Sequence, residues 1–239
     1  MQNFNIRNSI NLHRGKALIV ACLLAMPLVS QAQLNYLEYV NKKLYFGIML
    51  GFNSTSFKIT QSQEFTYDDT IQKINAGRGP GFNLGIISNY RLGKYFDLRL
   101  IPTLSFGGKD LNYTLYDSSF AKKSIENISI EFPVEVRFKS QPIKDIRLYV
   151  LTGLKYSIDL ASNAKSRRAD DQVKVSRHDL AYELGLGIQF FFPLFIFSPE
   201  VKVANGFVNL HSRNDLLNYS RVIDKLFSRG IIFSLHFEG

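Results

Sequence analysis

At 239 residues, 46% of them hydrophobic, the chain has room for one domain with extensions and not for several. A formal charge of +9 would suit nucleic acid, but there is no basic helix and no nucleic-acid motif, and that partner is set aside. One cysteine excludes an internal disulfide framework.

The first 32 residues read as a secretory signal. Arg7, Arg14 and Lys16 form a basic head, and Ala17–Val29 an apolar core of 13 residues, shorter than the ~20 that span a bilayer. Ser30-Gln31-Ala32 offers small residues to a signal peptidase, placing the cut after Ala32. Cys22 lies inside the core, with too few apolar residues before it for a lipoprotein acceptor, and leaves with the signal. What remains is a short periplasmic segment, 33–43, and a body, 44–239, with 26 basic and 20 acidic residues, a balance of +6.

The body alternates. Strands are predicted at 44–58, 81–91, 96–106, 127–138, 146–158, 179–192, 195–207 and 229–238, joined by 22, 4, 20, 7, 20, 2 and 21 residues. In the fourth, Ile128, Ile130, Phe132, Val134, Val136 and Phe138 oppose Ser129, Glu131, Pro133, Glu135 and Arg137. A period of two places these sets on opposite faces of a sheet. The sixth and eighth strands repeat the pattern. Short connections at one end and long ones at the other describe an all-β, eight-stranded, antiparallel up-and-down transmembrane barrel of outer-membrane type.

A soluble barrel also alternates, so the lipid must be argued. The polar face carries Gly47, Gly51, Gly85, Gly153, Gly185, Gly187 and Gly206, which a narrow lumen needs beside long side chains and a solvated face does not. On the apolar face, rings gather at both strand ends. Tyr90, Phe96, Phe138, Phe190, Phe192, Phe195, Phe197 and Phe237 lie beside the short turns; Phe52, Phe82, Phe106, Tyr156, Tyr182 and Phe207 lie beside the long loops. Two such belts match the two interfaces of a bilayer. The outer membrane is the expected location.

The polar register collects Asp97, Glu131, Glu135, Glu183, Glu200 and Glu238, together with Arg91, Arg99, Arg137, Arg147, Lys155 and Lys202. Acids and bases in equal number inside eight strands point to a lumen filled by ion pairs rather than a pore. Beyond the signal, His178, His211 and His236 are the histidines. His211-Ser212 lacks an orienting carboxylate, no two histidines have metal-ligand spacing, and there is no phosphate loop, so neither catalysis, cofactor nor metal is expected.

The loops are then the working surface. The first ends in the glycine-rich Asn75–Gly81; the third, 159–178, sets Lys165, Arg167, Arg168, Lys174 and Arg177 against Asp159, Asp170 and Asp171, a basic solvated face that lipopolysaccharide and other outer-membrane lipids can contact. In the fourth, Asn214-Asp215 can cap a helix over 214–228, with Leu216, Tyr219, Val222, Ile223, Leu226 and Phe227 along one side. That stripe either docks a partner or caps the barrel mouth.

Several stretches resemble the PorT family of Bacteroidetes outer-membrane proteins, called SprT in gliding bacteria: Tyr45–Asn53 (YFGIMLGFN), Asn89–Gly93 (NYRLG), Lys155–Ser162 (KYSIDLAS), Phe197–Lys202 (FSPEVK) and the closing His236-Phe237-Glu238. The likeness runs over nearly all of the body and implies a non-enzymatic component of the type IX secretion system, scaffold or docking surface, with other secretion-system proteins as partners. That system exports proteins bearing a characteristic C-terminal domain. The competing class is a general barrel for adhesion, envelope integrity or small-ligand binding. Near the end, Ser228-x-Gly230-x-x-Phe233-x-Leu235 resembles the signal by which barrels reach the insertion machinery.

Overall fold

The computed structural model describes residue 39 and residues 42–62, 71–115, 120–160, 175–212 and 222–239. The signal segment, the basic residues 165–174 of the third loop, and Leu216 and Tyr219 lie outside the described residues.

Ten strand segments form one antiparallel sheet: β1 Leu44–Gln61, β2 Ile71–Ala76, β3 Gly79–Arg91, β4 Phe96–Leu100, β5 Thr103–Leu115, β6 Phe120–Lys139, β7 Ile146–Asp159, β8 His178–Phe191, β9 Ile196–Gly206 and β10 Ile223–Glu238. β1 pairs with β3 on one side and with β10 on the other, which closes the sheet into a ring. Within the ring each strand has a neighbour on both sides to satisfy its backbone, while β2, above it, pairs with β5 alone.

Eight staves make the ring, because two of them are interrupted. The predicted strand 96–106 is broken at Ile101–Pro102 and then runs on to Leu115. Its pairing with β6 does not slip across the break: Leu100 faces Val134 and Thr103 faces Glu131. Pro102 and, across the ladder, Pro133 both lack an N–H, so bonds are missing while the register continues. β2 and β3 are likewise one stave. Ala76 faces Leu111 and Phe82 faces Phe106, so pairing slips by one residue across Gly77–Arg78. A Cβ on Gly79 would strike the Gly108 carbonyl, which is why the backbone approaches so closely there.

The sequence reading missed β2, placing it inside the first loop. The helix predicted over 214–228 is also corrected: residues 223–228 belong to β10, where Lys58 faces Phe227 and Ile59 faces Leu226. An apolar pattern that reads as helical in isolation is overridden by the free ladder of the lengthened β1.

Strand extension exposes a second rule. Along β1, Leu44, Phe46, Ile48, Leu50 and Phe52 face out and are exposed, while Tyr45, Met49 and Asn53 face in and are buried. Above Phe52 the pattern inverts: Lys58 and Thr60 are exposed and Phe57 is buried. β5 does the same, with Leu104 outside and Ser105 inside below, Asn112 outside and Leu111 and Tyr113 inside above. Where the outer wall meets hydrocarbon, apolar side chains face out; where it meets water, they turn inward. The inversion marks the outer surface of the membrane.

Candidate functional site

Three layers fill the interior. At the periplasmic end Tyr39, Tyr45, Phe191 and Ile196 form a buried cluster. The Tyr39 hydroxyl donates to the Phe192 carbonyl at 3.2 Å, and Arg91 Nη1 donates to the Tyr39 carbonyl at 2.7 Å. Arg147, buried, stacks its guanidinium 5.4 Å from the Phe191 ring centre. These two arginines stand at the rim, beneath the central layer.

The central layer is ionic. Arg99 donates to Glu135 from Nε at 2.8 Å and Nη2 at 2.6 Å, and to Glu200 at 2.5 Å. Lys202 reaches Glu135 at 2.6 Å and Glu183 at 3.2 Å. Lys155 bridges Glu131 at 3.1 Å and Glu183 at 3.7 Å. Lower down, Arg137 joins Asp97 at 3.1 Å and Glu238 at 3.3 Å, and Lys139 donates to Asp97 at 2.5 Å. Each of these side chains is shielded from solvent, a state tolerable for charges only when they are paired and hydrogen-bonded.

Four polar partners of this layer escaped the sequence reading. Lys139 lay one residue past the predicted end of its strand, though its register with Glu135 and Arg137 carried the signal. Tyr149 donates to Glu200 at 2.7 Å, Arg137 donates to the Tyr45 hydroxyl at 2.9 Å, and Asn89 Oδ1 accepts from Arg137. Phenols and amides of the lumen face carry no charge, so the balance of acids and bases along the strands does not reveal them.

The glycines of the lumen face make the room. A Cβ on Gly187 would run into the Tyr149 ring; on Gly153 it would meet Glu135 Cγ at 3.0 Å, and on Gly185 Lys202 Cγ at 2.8 Å. Each glycine lets a long side chain of the neighbouring strand lie flat across the wall.

Above the ions is a polar chamber of about 50 Å³, whose walls include Asn53, Asn83, Lys109, Glu131 and Asp179. That is room for roughly three or four waters. Above it the outer mouth is closed by a buried apolar cluster that includes Phe57, Ile71, Leu111, Tyr113, Leu210 and Val222. Ile223 and Leu226 belong to the same cluster and are fully buried, as Val222 is, while Phe227 is half-buried on the outer face. The stripe residues Val222, Ile223 and Leu226 therefore cap the mouth and offer no face to a partner.

The histidines are accounted for by packing. His236 sits between Arg99 Nη1 and Ser234 Oγ, each at 2.9 Å. His178 stacks on Tyr156 outside the barrel, and its Nδ1 lies 2.8 Å from that hydroxyl. His211 Nδ1 faces the Asp224 carbonyl at 3.4 Å. Among the described residues no group of three or more His, Cys, Asp or Glu side chains is arranged to hold a metal ion.

Both aromatic belts are present on the outer wall. Phe82 stacks on Phe106 at 4.6 Å beside Phe52 at the loop end; at the turn end Phe96 packs on Phe138, and Phe192, Phe195, Phe237 and Phe197 pack in succession.

No curated protein sequence matches the chain. Among solved structures it is similar to OprG of Pseudomonas aeruginosa, with 13% identity, 82% of this chain and 95% of that one covered, and a TM-score of 0.49. It is similar also to Neisserial surface protein A (10% identity, 80% and 96% covered, TM-score 0.39) and to Ail, the attachment invasion locus protein of Yersinia pestis (12%, 83% and 100%, 0.36). At such identities and scores these neighbours say nothing of activity or partner. The model of the outer membrane protein beta-barrel domain matches residues 30–212, most of the chain. Closed ring, filled lumen, lipid-facing wall and family model agree: this chain belongs to the outer membrane protein beta-barrel domain family and resides in the outer membrane.

Proposed function

We propose that this barrel is a non-conducting, non-enzymatic scaffold of the type IX secretion system. The observation that carries the scaffold reading is the lumen: among the described residues it is filled by paired charges at the centre and by buried apolar side chains at both ends. The secretion assignment rests on the sequence resemblance to PorT. Its partners are then other secretion-system proteins, met through the loops and the outer wall, because the stripe formed by Val222, Ile223 and Leu226 is spent on the cap.

Two measurements test the proposal. Purified protein in a planar bilayer is expected to give no stable channel of porin size, and a large steady conductance refutes the scaffold. Deletion of the gene is expected to trap type IX cargo in the periplasm, with export restored by the wild-type gene. Export unchanged in the deletion strain removes the secretion assignment and returns the barrel to a general envelope role in adhesion, integrity or ligand binding.

A further inference from the structure

On the outer wall, just above the level at which the pattern inverts, four adjacent strands present one row of hydrogen-bond donors. Asn205 of β9 faces Arg229 of β10, and Arg229 faces Ser56 of β1. Thr55 faces Gly79, so Ser56 lies beside Arg78, which precedes β3. The one-residue slip at Gly77–Arg78 is what turns Arg78 outward: Ala76 and Gly79 both face in, and the inserted residue shifts the side-chain phase between them. Both arginines are exposed and both serines, Ser54 and Ser56, are half-exposed. Among the described residues neither arginine has an acidic partner.

Beneath it the rows turn apolar, with Ser54 the one hydroxyl among them. Two residues down the strands come Val203, Ile231, Ser54 and Pro80; two further down come Val201, Phe233, Phe52 and Phe82, in the aromatic belt. Two residues span about 6.7 Å along a strand, so the donor row stands about 13 Å along the wall above the belt. With a tilt near 45° that is about 9 Å in height, where the headgroups of the outer leaflet lie. A groove of about 460 Å³ joins the levels, and Ser54, Ser56, Arg78, Val203, Arg229 and Ile231 are among its walls.

The geometry points to a binding site for a phosphorylated glycolipid of the outer leaflet, of the lipid A type. Its phosphate meets the forked guanidinium groups of Arg78 and Arg229 with the Ser56 hydroxyl between them, and its acyl chains descend over Ile231, Val203 and Phe233. Guanidinium groups suit phosphate because their planar N–H pairs match two phosphate oxygens at once. A soluble anion would have no use for the apolar rows, and an unphosphorylated lipid none for the donor row.

The test uses the full barrel in nanodiscs of phosphatidylcholine doped with phosphorylated or enzymatically dephosphorylated lipid A, with native mass spectrometry counting the glycolipid retained per barrel. Wild type is expected to retain the phosphorylated form preferentially. Arg78→Ala with Arg229→Ala is expected to lower retention roughly ten- to thirty-fold, from two surface cation–lipid contacts, at unchanged heat-modifiability on gels. Retention unchanged in the double variant overturns the site. So does equal retention of the dephosphorylated lipid by wild type, an arm that stands even where the variant does not fold. Displacement of the glycolipid by millimolar inorganic phosphate likewise overturns it, by making the row a site for the free anion.

Discussion

Replacing Glu135 by Ala tests whether the ionic layer holds the barrel together. The Glu135 carboxylate is fully buried, accepts two hydrogen bonds from Arg99 and pairs with Lys202 at 2.6 Å. Its removal leaves two buried cations sharing the carboxylates that remain: Arg99 keeps Glu200 at 2.5 Å, and Lys202 keeps Glu183 at 3.2 Å. Breaking a buried pair by removing one partner costs about 3–5 kcal/mol, and because each cation keeps a second carboxylate, the lower figure, about 3 kcal/mol, is expected. With a urea slope of about 2 kcal/mol per M, the unfolding midpoint falls by about 1.5 M. The chain has no tryptophan, so unfolding in lipid vesicles is read by the gel shift between folded and boiled protein. Removing the opposite charge as well, in Glu135→Ala with Lys202→Met, is expected to cost less than the two single changes together, since the residual charge is rebalanced. A midpoint within about 0.3 M of wild type for Glu135→Ala, on that same slope, would show that the layer is solvated and the lumen wet.

Three further expectations follow from the packing. Val134→Arg, on the exposed lipid face of β6, should cost about 2–4 kcal/mol in the same titration, whereas Arg at Thr60, on the water-facing part of β1, should cost under about 1 kcal/mol; equal effects would misplace the membrane surface. Gly187→Ala should destabilise by about 1–3 kcal/mol, because its methyl displaces the Tyr149 ring and its 2.7 Å bond to Glu200, and Tyr149→Phe in the same background should add little. Leu226→Ala, fully buried in the outer cap, should cost about 2–5 kcal/mol if the cap unfolds with the barrel; faster proteolysis above Phe52 with an unchanged urea midpoint would show that the cap opens on its own.

The face of each strand residue was legible because it depends on a local period of two. Glu131, Glu135 and Arg137 share a face with no knowledge of any other strand, and the seven lumen glycines could be read from the same phase. Strand ends were less legible. Lys139 and the stretch above Phe106 fell outside their strands because the outer wall changes from apolar to polar at the membrane surface, and a search for apolar-out alternation stops there. The stretch 223–228 suffered in the other direction: its apolar residues fit a helical stripe, and only the extended β1 beside it supplied the ladder that made it a strand.

By itself the sequence determined the closed-barrel class, the orientation of the wall and the pool of charges inside it, since composition and alternation are properties of neighbours along the chain. Tertiary structure alone decided which acid meets which base. Arg99 and Glu200 are 101 residues apart, and Arg99 and His236 are 137 apart. Such distant side chains meet only when stagger and ring closure bring β4, β9 and β10 around one axis, and a stagger of two residues would preserve every face while exchanging every partner.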